Sequence, residues 1–399
     1  MQNFKCHREL SKEMELFLNI EQAQGAPILL ENGLIIYKEL ANLMSSFLKR
    51  KASFHEVRSP ALVKASLWKQ SGHLDKFKEN MFLLGEDQEL MGLKPMNCPI
   101  HMLIFDSVNR SYKELPYRIH DQGILHRKEN SGSLLGLARL SQFHQDDSHI
   151  FLAESQIEEE FKFCLGLIKQ VYERFNFSYK ACLSTRPKEY LGDLEVWSKS
   201  EAILKSSLDD NLIEYSIDAG GGAFYGPKVS VEIEDSVGRW WQVATVQLDF
   251  NLPERFNLKY VDSNGEYKRP VVIHMALYGA IERFMAIYLE HVQGNLPFKI
   301  APQQVKIYPI SDRHIAFANE IKAKLQEMDY RVVVSCDSEP LSVRLYEGRR
   351  FRAPYSIVIG DNEVNKSSLS VSLREDSKRR ELSLDDLLLE LKKQNEFCI

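Results

Sequence analysis

Apolar residues recur at helical spacing over 5–24 and again over 37–51, and the second run closes on Lys49, Arg50 and Lys51, cations suited to a helix C-terminus. Residues 55–60 then predict a strand running up to a proline. From 94 to 151 short apolar runs alternate with polar turns, among them the Asn-Ser-Gly-Ser stretch at 130–133, which predicts antiparallel strands joined by a loop. An amphipathic helix is expected over 157–175. Strand composition is strong over 228–234 and 240–250, and 270–273 predicts a last strand feeding a long helix around 274–291. The pattern breaks at 294–302, where Pro297 and Pro302 mark the best boundary. Beyond it the order changes to strand 305–310, helix 316–328, strand 331–335, helix 343–350, strands 355–359 and 369–373, and helix 385–393, the alternation of a small α/β sheet. The expected fold is therefore α+β, an antiparallel-rich unit over 1–298 followed by an α/β unit over 303–399.

A chain of 399 residues is long enough for a large domain and a smaller one, and 44% hydrophobic with 27% charged residues is ordinary globular composition. The longest apolar stretch, 272–289, is interrupted by His274, Glu282 and Arg283, so no membrane span is expected. The charged N-terminus lacks the apolar centre of a secretory signal, which makes the cytoplasm the default setting. Six cysteines, at 6, 98, 164, 182, 336 and 398, show no short paired spacing and read as reduced thiols, one of them available to a metal. A net charge of −5 argues against coating nucleic acid by bulk attraction while leaving room for a local basic patch.

Neither a G-x-x-x-x-G-K-[ST] loop nor a G-x-G-x-x-G turn in its strand-to-helix context is present. A nucleotide would have to be held by side chains, and arginine suits that task because its planar fork meets phosphate oxygens in pairs. Arg127, Arg139 and Arg283 are the candidates. Arg127 and Glu129 stand two apart, so a strand would present both on one face, although without further context such a pair reads first as an exposed ion pair.

Five strings change the weight of these residues: KPMNCPIHM at 94–102, HRKENSGSLLGLARLSQFHQDDSHIF at 126–151, GGGAFYGPK at 220–228, QVATVQLDF at 242–250 and VIHMALYGAIERF at 272–284. Together, and in this order, they resemble the threonyl-tRNA synthetase family, and EVRSPALVKASLWKQSGH, containing Pro60 and ending at His73, resembles the first class II motif. The resemblance runs from about Arg8 to the C-terminus and implies a class II catalytic domain around a six- or seven-stranded antiparallel sheet over 1–298. An anticodon-binding domain over 303–399 and a homodimer formed through the first motif are also implied.

By the same resemblance ATP binds with Mg²⁺ as counter-charge. Arg127 meets the α-phosphate, Glu129 the adenine amine, Arg283 the γ-phosphate and Arg139 a further phosphate. Phe143 stacks under adenine, while Gln242 and Thr245 line the ATP and ribose region. Cys98, His149 and His274 are implied as ligands of one zinc ion per subunit, three protein ligands leaving the open position of a catalytic site. Met96, Tyr225, Gln247 and Ala276 belong to the L-threonine pocket, Asp147 orients the hydroxyl, and Lys228 meets substrate or adenylate. Threonine and valine are near-isosteres that an apolar pocket separates by only about two orders of magnitude, so a metal that accepts the hydroxyl answers a selection problem. Serine is not excluded that way, and because the chain begins close to the catalytic portion, editing is expected to be absent or supplied by another protein.

Several positions depart from the family strings: Ile100 for glycine, Leu135 for histidine, Leu140-Ser141-Gln142 for a more basic run, Met275 for arginine, Ala244 for glycine and Ser372 for an arginine in the anticodon-binding part. Arg344, Arg349, Arg350 and Arg352 remain as a basic helix there, readable as an RNA surface or as a solvated face. Two readings stay open: an enzyme that charges tRNA(Thr), or a related protein that activates an amino acid for a carrier protein or acts as a regulatory binder.

Overall fold

The computed structural model describes residues 4–86, 89–190, 192–223, 225–376 and 378–397. In chain order the main elements are helices α1 (His7–Met14) and α2 (Glu31–Ala52), strand β1 (His55–Val57), helix α3 (Cys98–Asp106), and the long strands β2 (Tyr117–His126) and β3 (Gln142–Leu152). Helix α4 (Ile157–Arg174), strand β4 (Tyr179–Ser184), helix α5 (Leu194–Asp210), strands β5 (Tyr215–Asp218), β6 (Lys228–Glu234), β7 (Trp240–Asp249) and β8 (Val271–Ala276), and helix α6 (Ile281–His291) follow. The remainder is β9 (Val305–Pro309), α7 (Ile315–Gln326), β10 (Val332–Val334), α8 (Leu341–Gly348), β11 (Tyr355–Ile359), α9 (Asp361–Lys366), β12 (Leu369–Leu373), β13 (Arg380–Leu382) and α10 (Leu384–Gln394).

One compact unit comprises residues 19–26 and 41–287. Its eight-stranded sheet has the order β5-β4-β6-β7-β8-β3-β2-β1. The six strands from β4 to β2 pair antiparallel, and one parallel strand closes each edge, so the sheet is wider than the six or seven strands expected. Helix α4 buries Phe161, Leu165, Ile168 and Val171 on one stripe, the 3–4 spacing that marked it in the sequence.

Two helices differ from expectation in this unit. Residues 98–106 form α3 rather than a strand: CPIHMLIF is a short apolar run that periodicity cannot assign, and Pro99 is tolerated because it sits in the first turn. The helix expected from 274 begins only at Ile281, because strand β8 continues through Ala276. Asp146 Oδ2 accepts from the Leu277 and Tyr278 N–H groups at 2.9 and 2.8 Å, and Gly279 then turns the chain at φ +70°, where an added Cβ would lie 2.3 Å from the Val243 carbonyl oxygen.

The second compact unit comprises residues 4–18, 27–40 and 288–397, so the N-terminal segments pack with the C-terminal part rather than following the break at 294–302 in chain order. Buried His7 Nδ1 lies 2.6 Å from Glu290 Oε1, and Arg331 joins Glu39 at 2.8 Å while donating to the Ala301 and Lys299 carbonyls. The continuous helix expected over 5–24 stops at Met14: Glu15 takes a left-handed φ of 56°, and Phe17–Leu18 then pairs with Ile28–Leu29. The sheet order β10-β9-β11-β12-β13, parallel across the first three strands, matches the alternation read beyond 303, with α9 and β13 added.

Three of the four arginines expected as a basic helix, Arg344, Arg350 and Arg352, have partners within their own unit. Arg344 is buried and donates to the carbonyls of Ser335, Pro309 and Glu339 at 2.7, 2.8 and 2.9 Å, while Arg350 and Arg352 pair with Glu15 and Glu13. Replacing Arg344 by methionine leaves three carbonyls without this donor, and urea unfolding should show a loss of about 2–4 kcal/mol. A change of under about 0.5 kcal/mol would be that of an ordinary surface position. Cys6, Cys98, Cys164, Cys182 and Cys336 are free thiols, and Cys398 lies outside the described residues.

Candidate active site

Sheet register explains how residues far apart in sequence meet. Lys228 on β6 is opposite Gln247 on β7, Gln247 is opposite His274 on β8, and His274 is opposite His149 on β3. A row of directly paired residues shares one face of a pleated sheet, so these four side chains point together. Two residues along, Thr245 pairs with Ala276. On β3 the alternate positions Phe143, Gln145, Asp147 and His149 all reach the same cleft, as period two requires. A bulge leaves Val243 without a partner on β6, and Gln242 and Val243 therefore both line the cleft although they are neighbours.

The cleft encloses about 390 Å³. Its walls include every residue singled out above: Cys98, His149 and His274; Met96, Asp147, Tyr225, Gln247, Ala276 and Lys228; Arg127, Glu129, Arg139, Phe143, Gln242, Thr245 and Arg283. Met275, one of the departing positions, is among them. Arg127 and Glu129 line it from just beyond the end of β2, not from the strand itself. Glu129 is held by Arg139 at 3.0 Å, and the Arg127 guanidinium stands 5.1 Å from the Phe143 ring centre with its Nε on the Pro95 carbonyl. Arg283 donates to the carbonyls of Ala138 and Gln242 at 2.8 and 2.9 Å. Burial, then the charges of Arg127 and Arg139, pull Arg283 down to about 10. Burial also lowers Arg127. Cations crowded in this way favour a polyanion.

At the other end of the cleft, ligating atoms of Cys98, His149 and His274 lie within 4.8 Å of one another, all three residues buried. Burial, then the charges of Asp147 and Asp249, push the Cys98 thiol well above its usual range, whereas a cation would favour the thiolate. His149 Nε2 is a buried atom with no hydrogen-bond partner among the described residues. Burial, then the neighbouring His274 and His101, hold that ring neutral, the form that ligates. His274 gives Nε2 to Asp249 Oδ2 at 2.9 Å, leaving Nδ1 for coordination. One sulfur and two imidazoles, with an orphaned nitrogen among them, fit zinc.

Asp147 sits beside this cluster, its Oδ2 accepting from Asn97 Nδ2 at 3.0 Å and its Oδ1 3.9 Å from His149 Nδ1. Burial raises its carboxyl, against the opposing pull of His101 and His274. Tyr225 lies 5.6 Å from the His274 ring, and Gln247 Nε2 donates to the Gly226 carbonyl.

Sequence reasoning left out His73, Asn97, His101 and Asp249, although each stands in a quoted string. His73 Nε2 is 3.7 Å from Cys98 Sγ and 3.2 Å from Met96 Sδ, and burial brings its pKa down to about 4. His101 follows Cys98 by one helical turn on α3 and meets His149 nitrogen to nitrogen at 2.8 Å. The available signal was the i, i+3 spacing of Cys98 and His101, legible only once 98–106 is a helix.

Residues 80–292 match the family description "tRNA synthetase class II core domain (G, H, P, S and T)", and residues 304–394 match "Anticodon binding domain". A threonine–tRNA ligase from Natranaerobius thermophilus is 41% identical over 97% of this chain and 60% of its own length; the chain spans about three fifths of that relative. A solved structure described as the RNA binding domain of threonyl-tRNA synthetase from Cryptosporidium parvum is 37% identical, with a TM-score of 0.94 over 98% of each chain. A putative threonyl-tRNA synthetase from Aeropyrum pernix is 29% identical, with a TM-score of 0.84 over 98% of this chain and 96% of its own. Among the described residues no helix is long and apolar enough to cross a membrane.

Proposed function

This chain belongs to the threonyl-tRNA synthetase family of class II tRNA synthetases, and from that premise we propose that it activates L-threonine with ATP and transfers the threonyl group to tRNA(Thr). The observation that carries the reading is one cleft with arginines at one end and a Cys98–His149–His274 cluster at the other. In this reading 1–298 is catalytic, 303–399 reads the anticodon, the protein is a homodimer, and it works in the cytoplasm.

Arg127, Arg139 and Arg283 hold the triphosphate of ATP, which arrives with Mg²⁺, and Phe143 offers its ring to adenine while Glu129 faces the adenine amine. Gln242 and Thr245 border the ribose. The threonine carboxylate attacks the α-phosphorus, the bond to the β-phosphate oxygen breaks, and pyrophosphate leaves; the protein supplies orientation and charge rather than a nucleophile. Arg127 meets the charge that grows on the α-phosphate, and Lys228 the adenylate. A zinc ion held by Cys98, His149 and His274 supplies a Lewis-acid position selective for an amino acid with a β-hydroxyl. Asp147, fixed by Asn97, orients that hydroxyl, with Met96, Tyr225, Gln247 and Ala276 shaping the rest of the pocket. The terminal ribose hydroxyl of tRNA then attacks the adenylate carbonyl and AMP departs.

Pyrophosphate exchange with an amino-acid panel tests substrate choice. Valine should fall by about 10⁴-fold or more relative to threonine, since a site built around a hydroxyl loses its partner, and serine by only about 10–200-fold for one missing methyl. Equal exchange with valine would exclude selection by the hydroxyl. Charging of tRNA(Thr) on the same preparation tests the acceptor. Exchange without charging would move the assignment to a carrier-loading relative, a reading favoured by the engagement of Arg344, Arg350 and Arg352 within their own unit. Neither activity would leave a regulatory binder.

A further inference from the structure

A buried line of groups runs from the zinc candidate away from the cleft. His149 Nδ1 and His101 Nδ1 are 2.8 Å apart, a hydrogen bond in which only one nitrogen can carry the proton. His101 is fully buried on α3, and its other nitrogen, Nε2, faces Asp121 Oδ2 at 3.5 Å with no closer hydrogen-bond partner among the described residues. Asp121 stands on β2 opposite Asp147, itself buried, and takes hydrogen bonds from the Ser59 hydroxyl and Ser59 N–H, with the Lys94 ammonium 3.7 Å away. That surrounding favours the anion: burial works against the charge, while the facing His101 ring, the Ser59 bonds and the Lys94 ammonium draw the carboxyl below its usual value.

An anion at 3.5 Å is at the outer edge of hydrogen bonding, yet in a dry interior it still separates the two tautomers of His101. A ring N–H turned to Asp121 is attracted and a lone pair turned there is repelled. With its proton on Nε2, His101 has only a lone pair on Nδ1, so the 2.8 Å contact needs the proton of His149 on Nδ1. His149 then has its lone pair on Nε2, the nitrogen that is buried and without a partner at the metal cluster. For a neutral His101 each step leaves one alternative, and the choice made at Asp121 is delivered two groups away.

We propose that Asp121 and His101 are positioning residues that fix the tautomer of His149, so that its Nε2 stands ready as a metal ligand before any metal arrives. This rests on the zinc reading of Cys98, His149 and His274 and adds to it how one ligand is prepared; His274 needs no such relay, since Asp249 touches it directly. The general expectation for a group that orients a metal-binding histidine is a 10–100-fold loss of affinity on removal, about what is predicted here.

Two substitutions at one site separate orientation from packing. His101→Phe keeps a ring and removes the acceptor, whereas His101→Asn keeps an oxygen near the place of Nδ1. Titration of the metal-free protein with Zn²⁺ against a competing chelator should show affinity about 10–100-fold weaker for the phenylalanine variant and largely restored in the asparagine variant. The thermal midpoints of the metal-free forms should stay similar. Wild-type affinity in the phenylalanine variant, or equal loss in both, overturns the relay while leaving the zinc site standing. Failure of the wild-type protein to take up Zn²⁺ overturns the zinc reading itself and the relay with it. The ¹⁵N-histidine spectrum of the metal-free wild type decides without any substitution: the relay requires the proton of His101 on Nε2 and that of His149 on Nδ1 before zinc is added, and the opposite tautomer at His101 refutes it.

Discussion

Cys98→Ser is expected to abolish zinc retention and threonine-dependent pyrophosphate exchange together. The substituted oxygen occupies nearly the same place at the start of α3, so the fold has little reason to change. Its chemistry is different. A thiol becomes a good ligand by ionising next to a metal, and a serine hydroxyl at neutral pH does not. Two neutral imidazoles alone form a weak site, and the loss in zinc affinity should exceed the roughly 10–100-fold that removal of a supporting hydrogen bond costs. Exchange should fall by at least about 100-fold while ATP affinity stays near wild type, because the arginines stand at the other end of the cleft. Elemental analysis and exchange on the same sample check this. Full exchange in a protein stripped of metal would remove the metal role altogether.

Much of this architecture could be read in advance, and the parts that could not share a cause. Strand β6 occupies the predicted 228–234, and β7, α4 and the alternation beyond 303 lie within a residue or two of expectation, because each carries a strong period or strand composition. Residues 98–106 and 274–280 went the other way, and in both a short apolar run was closed by tertiary contacts. Asp146 ends β8 by capping Leu277 and Tyr278, a bond across 131 residues that no local pattern encodes. The cleft was recovered residue by residue because the family strings carry it. The cross-strand row Lys228–Gln247–His274–His149 supplies the physical reason those residues converge, which spacings of 51 and 125 residues could not.

The arginine row missed its surroundings for a similar reason. Arg344, Arg350 and Arg352 look like a solvent-facing basic helix when only helical spacing is considered. Arg344 is taken up by the carbonyls of Ser335 and Glu339 in the preceding loop and of Pro309 at the end of β9, while Arg350 and Arg352 meet acids some 335 residues away in the N-terminal helix region. Ser372 lies on β12 opposite Ser356, its hydroxyl directed to the Ser356 carbonyl.

Arg127→Ala should separate the two ends of the cleft. The guanidinium is held by the Pro95 carbonyl and stands over Phe143, so it is placed before any nucleotide binds, and charge that grows on the α-phosphate would meet a donor needing no rearrangement. Loss of one such donor typically costs about 10²–10³ in turnover, or about 2.7–4 kcal/mol, and exchange should drop by that amount. Zinc content should change little, since no hydrogen bond or ion pair joins Arg127 to the three candidate ligands and its charge is a lesser influence on the Cys98 thiol than burial and the two aspartates. Arg139 and Arg283 remain to hold the rest of the triphosphate, so ATP affinity should weaken less than turnover. Arg127→Lys would keep the charge without the paired donors and should recover only part of the rate. Exchange within about threefold of wild type in the alanine variant would mean that the α-phosphate is met by another group, because a preorganised donor cannot be lost so cheaply. Zinc loss in that variant would mean instead that the two ends of the cleft are coupled through the sheet, and the division of labour between arginines and metal ligands would have to be abandoned.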